Sequence, residues 1–175
     1  MISGSIVGWG LAALLLFWSV GAYNRLVRLR GQAVRAFAAL APLLQRYGEL
    51  LPSGAATDSP SPSAAWSGLY GAHAQFTASL AVARSHPLDA AALAALAAAE
   101  QVLQMAWLRV EAEGLGSDGQ ALAEALPPQW AEIQRHVEHT KPLFAQAVHS
   151  YNSAITQFPA VLLAWLFGFR AAQPL

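Results

Sequence analysis

Glu132, His136 and His139 are spaced so that, on a helix, they share a face. Imidazole and carboxylate are the donor types of a metal site. A dimetal helical bundle, however, draws a Glu from each of two helices and a Glu-x-x-His from each of two others, and this chain has no Glu-x-x-His. A solvated polar face is therefore the expectation for this trio. His73 and Glu100 differ, because each interrupts an otherwise apolar helical stripe. They could meet as a buried polar pair. The simpler reading is that one stripe is off by a position and one of the two is exposed, since an unpaired buried carboxylate is costly. Nucleophilic chemistry has no candidate: Gly-x-Ser-x-Gly, His-Glu-x-x-His and a lysine-bearing phosphate loop are all missing. Lys141 is the only lysine, and there is no cysteine. The Gly114–Gly119 loop carries Asp118 but lacks the acidic spacing of a calcium loop. No catalytic residue, metal or cofactor is expected.

What must position these side chains begins with a charge asymmetry. Residues 1–23 carry no charged side chain; Arg25, Arg28, Arg30, Arg35 and Arg46 follow before the first acid, Glu49. As a helix the apolar run is roughly 33 Å long, against a hydrocarbon core of roughly 30 Å. Basic residues flanking one end hold that end on the cytoplasmic side. The expectation is a single span with its N-terminus outside and the rest of the chain cytoplasmic. A cleaved signal peptide is the rival reading, but it would place positive charge before the apolar run rather than after it. Arg25, Arg28, Arg30 and Arg35 then face lipid headgroups.

Composition narrows the remainder. Apolar residues make up 55% and charged residues 11%, with ten basic against ten acidic side chains. With no net basic excess, nucleic acid is not an expected partner. Absent disulfides fit a cytosolic domain without requiring one.

Spacings of three and four recur throughout, and strand-like alternation is nearly absent. Four long helices are predicted, giving an all-α fold: an N-terminal transmembrane helix continuing into an elongated antiparallel four-helix bundle. The first helix carries the stripe Leu26, Leu29, Ala33, Phe37, Leu40, Leu44, Tyr47 and Leu51, and Pro42 could bend it. Pro52-Ser53-Gly54 ends it, and residues 58–63 read as a linker. The second covers about 64–84, with Trp66, Leu69, His73, Phe76, Leu80 and Ala83. The third covers about 88–113, capped by Asp89 or Ser85, with Leu93, Leu96, Glu100, Leu103, Trp107 and Val110, and Gly114–Gly119 stops it. A short helix over 120–126 precedes the fourth, which begins near Pro127-Pro128. The fourth carries Trp130, Ile133, Val137, Thr140, Phe144, Val148, Tyr151, Ile155 and Phe158. Three of the helices come out at roughly 40 Å and the second at roughly 32 Å. An up-down-up-down bundle of such rods returns its last helix to the membrane.

That return gives the C-terminal residues an address. The run 159–169 is uncharged and too short to span, and Arg170 follows it. Phe158, Pro159, Trp165, Phe167 and Phe169 then lie in the membrane interface. The alternative is that the run folds back to cap the bundle base. The segments are 1–23 as anchor, 24–158 as bundle and 159–175 as C-terminal segment. Tyr23-Asn24 and Tyr151-Asn152 fall at the same membrane-proximal end, where the asparagines could bond across the bundle; the alternative is that each is only a helix-surface residue.

Three blocks carry a family resemblance. They are Tyr23-Asn24-Arg25-Leu26-Val27-Arg28-Leu29-Arg30 with Val34-Arg35-Ala36-Phe37; Gln45-Arg46-Tyr47-Gly48-Glu49-Leu50-Leu51-Pro52-Ser53; and Val148-His-Ser-Tyr-Asn-Ser-Ala-Ile155 with Gln157-Phe-Pro159 and Leu166-Phe-Gly-Phe169. In order and spacing the chain resembles LemA-family proteins over about half its length. It departs from them at Phe144-Ala145, where the family has a further Tyr-Asn pair, at Gln45, where the family has arginine, and in the middle of the chain. The resemblance implies a divergent, membrane-anchored scaffold without enzymatic activity, at the bacterial inner membrane and linked with membrane proteolysis and envelope stress. The expected partners are membrane lipid, through the arginine cluster, and another membrane protein or further copies of the chain; the alternative function is a self-assembling, lipid-organising membrane protein.

Overall fold

The computed structural model describes residues 3–51, 63–113 and 120–175. Among the described residues five helices follow in order: α1 Ser3–Leu50, α2 Ala64–Ser85, α3 Ala90–Glu113, α4 Gln120–Thr156 and α5 Ala160–Phe167. The fold is all-α, with the apolar N-terminal segment and the first bundle helix forming one continuous rod. The predicted stops at 52–54 and 114–119 and the linker before Ser63 lie outside the described residues.

Local chemistry accounts for the helix ends. The Ser63 hydroxyl accepts the Trp66 N–H, which caps α2. The Asp89 carboxylate accepts the Ala92 N–H at 2.8 Å and caps α3. Pro42 lies inside α1 and is exposed, so the carbonyl that its missing N–H leaves free can bond to water. Helix α4 corrects the expected start: one helix runs from Gln120 through Pro127 and Pro128. Leu126 and Trp130, four apart on one face, are both buried and tie the turns on either side of the prolines to the core.

Most positions of the predicted stripes form the core, but Phe158, the expected end of the fourth stripe, lies past α4 and is exposed. Leu26, Phe37, Leu40, Leu44 and Tyr47 of α1 are buried, as are Leu69, Phe76 and Leu80 of α2, Leu93, Leu96, Leu103 and Trp107 of α3, and Val137, Phe144, Val148 and Tyr151 of α4. Phe37 meets Phe144 edge-on at 5.6 Å. Farther from the N-terminus, Trp107 stacks on Trp130 at 4.5 Å and Tyr47 leans on the same indole at 4.6 Å. Such pairs add about 0.5–1.5 kcal/mol each beyond their buried area.

The rods are not in equal register. Tyr47 against Phe76 and His73 against the Gly48 carbonyl set α2 beside the last third of α1. Arg84, one residue before the end of α2, still reaches Gln45 at 2.7 Å. The α2–α3 turn therefore stops well short of Tyr23. Four helices surround the distal core, whereas the end nearer the α1 N-terminus is an α1–α4 pair closed by α5 and the C-terminal tail.

Candidate functional site at the base of the bundle

Four segments meet at the base: α1 from Leu14 to Arg25, the end of α4, all of α5, and the tail to Leu175. In α5, Ala160 and Ala164 face the bundle and are buried, while Val161, Leu162, Trp165, Leu166 and Phe167 are exposed. This reverses the polarity of a helix lying on a water-soluble protein: the small residues point inward and the large apolar ones outward. Trp165 is 85% exposed, the highest value among the described large apolar residues, and Trp9 and Phe17 on α1 approach it at 78% and 79%. By length and composition α1 is apolar enough to cross a membrane, and so is α3, although 39% of the apolar window of α3 is buried in the bundle.

The expected interfacial residues converge here. Phe158 lies edge-on to Trp18 at 5.3 Å. Phe167 and Phe169 bracket Tyr23 at 5.0 and 6.2 Å. Gly168 makes this bracket possible. It terminates α5 at φ +70°, a conformation that strains any side-chain-bearing residue, and the Phe169 N–H then bonds the Ala164 carbonyl at 2.9 Å. Pro159 precedes α5 and lines a groove with Trp18 and Arg25.

Tyr151 and Asn152 fix the tail. The Tyr151 hydroxyl donates to the Arg170 carbonyl at 2.9 Å. Asn152 donates through Nδ2 to the Ala172 carbonyl at 2.7 Å and accepts the Ala172 N–H through Oδ1 at 3.0 Å. Ala172 is buried, and Leu175 packs against the core. Burial raises the Tyr151 pKa, with a partial opposing pull from Arg30, so the hydroxyl keeps the proton it donates. The tail occupies the level that α2 and α3 do not reach.

This corrects the expected bond between asparagines. The Asn152 amide is taken by Ala172, and Asn24 is exposed. Asn24 stands roughly 200° around α1 from buried Leu26, on the opposite face. Tyr23 is roughly 60° from Leu26 and turns toward α5 instead. Of the two placements expected for the C-terminal segment, the cap is seen: its small residues pack on the base, and its large ones are exposed.

Arg25, Arg28, Arg30 and Arg35 are exposed, and none forms an ion pair among the described residues. Arg25 donates to the Gln157 side chain at 3.0 Å.

His73 and Glu100 are both buried, at 7% and 2% exposure, but they do not pair with each other. His73 Nε2 donates to the Gly48 carbonyl at 3.1 Å. The Glu100 carboxylate meets Lys141 Nζ at 2.7 Å and, more weakly, the Gln104 amide at 3.5 Å. The expected stripe runs through Thr140 and omits Lys141. The sequence holds the signal: Val137, Lys141, Phe144, Val148 and Tyr151 step by four, three, four and three, and a lysine in such a slot calls for an acid opposite. Thr140 instead bonds back to the His136 carbonyl. Glu132, His136 and His139 are exposed on α4, and no three His, Asp or Glu side chains among the described residues gather about one point.

Compared with family models, with curated proteins and with solved structures, the chain finds no match.

Proposed function

We propose that this protein is a membrane-anchored helical-bundle scaffold of the LemA type, a single-span protein of the bacterial inner membrane with its bundle in the cytoplasm. It acts without catalysis, as an adaptor for another membrane protein in membrane proteolysis or envelope stress. The observation that carries the membrane half of this reading is the outward face of α5 beside the uncharged face of α1. Two apolar surfaces lie side by side at one end of the molecule, and arginines that form no ion pair among the described residues begin where they stop.

The adaptor half rests on α2 and α3. Between Ala64 and Leu108 the only charged side chains are Arg84, Asp89 and buried Glu100. Away from the core, α2 exposes Ser67, Gly71, Ala74, Ala78 and Ala81, and α3 exposes Ala91, Ala95, Ala98, Val102 and Met105. Both rows step by four and three, the spacing that lets a partner helix approach closely. The same rows support a second reading, in which the partner is another copy and the protein assembles on the bilayer. Crosslinking the full-length protein in cells, recovering it from membranes and identifying adducts by mass spectrometry tests both. One recurrent partner at near-stoichiometric yield supports the adaptor. Self-crosslinks through the α2 and α3 rows alone overturn it in favour of self-assembly.

A further inference from the structure

An open groove of about 580 Å³ runs along α1 beneath the end of α4, within the size range of small-ligand sites. Leu14, Phe17 and Trp18 form one wall, Phe158 leans across from the other side, and Gly21 lies between them. Arg25 stands at the upper end. We propose that this groove holds one acyl chain of an anionic phospholipid, with the lipid phosphate at the Arg25 guanidinium. The proposal rests on α1 being embedded in the membrane and adds to that reading a defined lipid site.

Three observations select this occupant. The first is length: Leu14 to Arg25 is eleven residues, roughly 16 Å of helix, close to the roughly 15 Å depth of one hydrocarbon leaflet. The second is charge. Arg25 gives one N–H to Gln157 and faces no acid among the described residues, while Arg28 follows one turn farther along. A guanidinium keeps several donors for a phosphate beyond one such bond. The third is space. A Cβ built on Gly21 meets nothing within 4 Å, so the groove has open space at this lining position between Trp18 and Arg25.

The test reconstitutes the full-length protein in phosphatidylcholine vesicles doped with phosphatidylglycerol that bears a photoreactive acyl chain. After irradiation, adducts are mapped by mass spectrometry. Adducts are expected on peptides containing residues 14–25 and 158–159, and unlabelled phosphatidylglycerol should compete for them better than phosphatidylcholine. Gly21→Leu, which fills the groove while keeping the helix apolar, should abolish these adducts; Gly10→Leu, also in open space but outside the groove, should not. Arg25→Gln should lower the preference for the anionic lipid about fivefold. Adducts spread evenly along α1, or unaffected by Gly21→Leu, overturn the proposal. Alkaline carbonate extraction of the same vesicles separates the two claims: a protein that stays with the lipid but shows no localised adducts keeps its anchor and loses its site, whereas one released from the vesicles loses both.

Discussion

Replacing Lys141 with Met should unfold the bundle more readily than any other single change to a charged residue. The Glu100 side chain is 3% exposed, and Lys141 Nζ sits 2.7 Å from its Oε2. The one other partner in reach among the described residues, Gln104, is 3.5 Å from Oε1. Methionine keeps the length and apolar stem of lysine and removes only the cation, so the loss reports the stranded carboxylate. Breaking a buried pair from one side costs about 3–5 kcal/mol, which in a chain of this size lowers the Tm by roughly 6–20 °C. The reverse change is gentler. Lys141 is 26% exposed and can turn its ammonium to water once Glu100 becomes Leu. The double variant Glu100→Leu/Lys141→Met leaves no buried charge and should lie within about 1 kcal/mol of the parent, or above it. The assay is thermal and urea unfolding of the full-length protein in mild detergent, followed by circular dichroism and closed as a double-mutant cycle. If Lys141→Met falls within about 0.5 kcal/mol of the parent, or Glu100→Leu costs as much as Lys141→Met, the reasoning from asymmetric burial is refuted.

Three further outcomes follow from particular contacts. Asn152→Ala removes both bonds to Ala172; at about 1–3 kcal/mol in total, hydrogen exchange in the C-terminal peptide should speed up roughly 5- to 150-fold while the main melting transition barely moves. Gly168→Ala, at φ +70°, should cost about 1–2 kcal/mol and loosen the same peptide by drawing Phe169 off Tyr23. Tyr47→Phe removes a buried hydroxyl that has no hydrogen-bond partner among the described residues and should stabilise the bundle by about 1 kcal/mol. Burial, reinforced by the charges of Glu100 and Glu138, raises the Tyr47 pKa, so above about pH 10 the unfolded chain releases a proton that the fold retains. Stability is therefore intact below that pH and falls above it. The urea midpoint of Tyr47→Phe should decline less steeply across the alkaline range, with Tyr151 still contributing part of the slope.

The long elements were legible because each helix repeats its apolar spacing many times, so a single misread residue leaves the stripe intact. Tyr47, Phe76, Trp107 and Phe144 are all buried on the faces their spacing assigns. What escaped depended on one position or on a distant contact. Choosing Thr140 over Lys141 shifts the stripe by one residue, which matters little for packing and decides where the only lysine points. Asn24 lies on the far side of its helix from Leu26, and the residue after it reaches Gln157, more than a turn beyond Asn152, so both rotation and height separate the two asparagines. The partners of Tyr151 and Asn152 are the backbones of Arg170 and Ala172, and a carbonyl carries no sequence signature. The high register of α2 and α3 was hidden as well. Helix lengths predict that rods can lie together, whereas side-chain pairs such as Arg84 with Gln45 set how far one slides along another.

The most direct test of the anchored bundle uses the absence of cysteine, which makes every introduced thiol unique. Ser3→Cys and Ser67→Cys would be placed separately in the full-length protein and treated with a membrane-impermeant maleimide, first in spheroplasts and then after lysis. A single span with the bundle in the cytoplasm predicts labelling at position 3 in spheroplasts and at position 67 only after lysis. Labelling at position 67 in spheroplasts, or recovery of the protein in the soluble fraction, contradicts it.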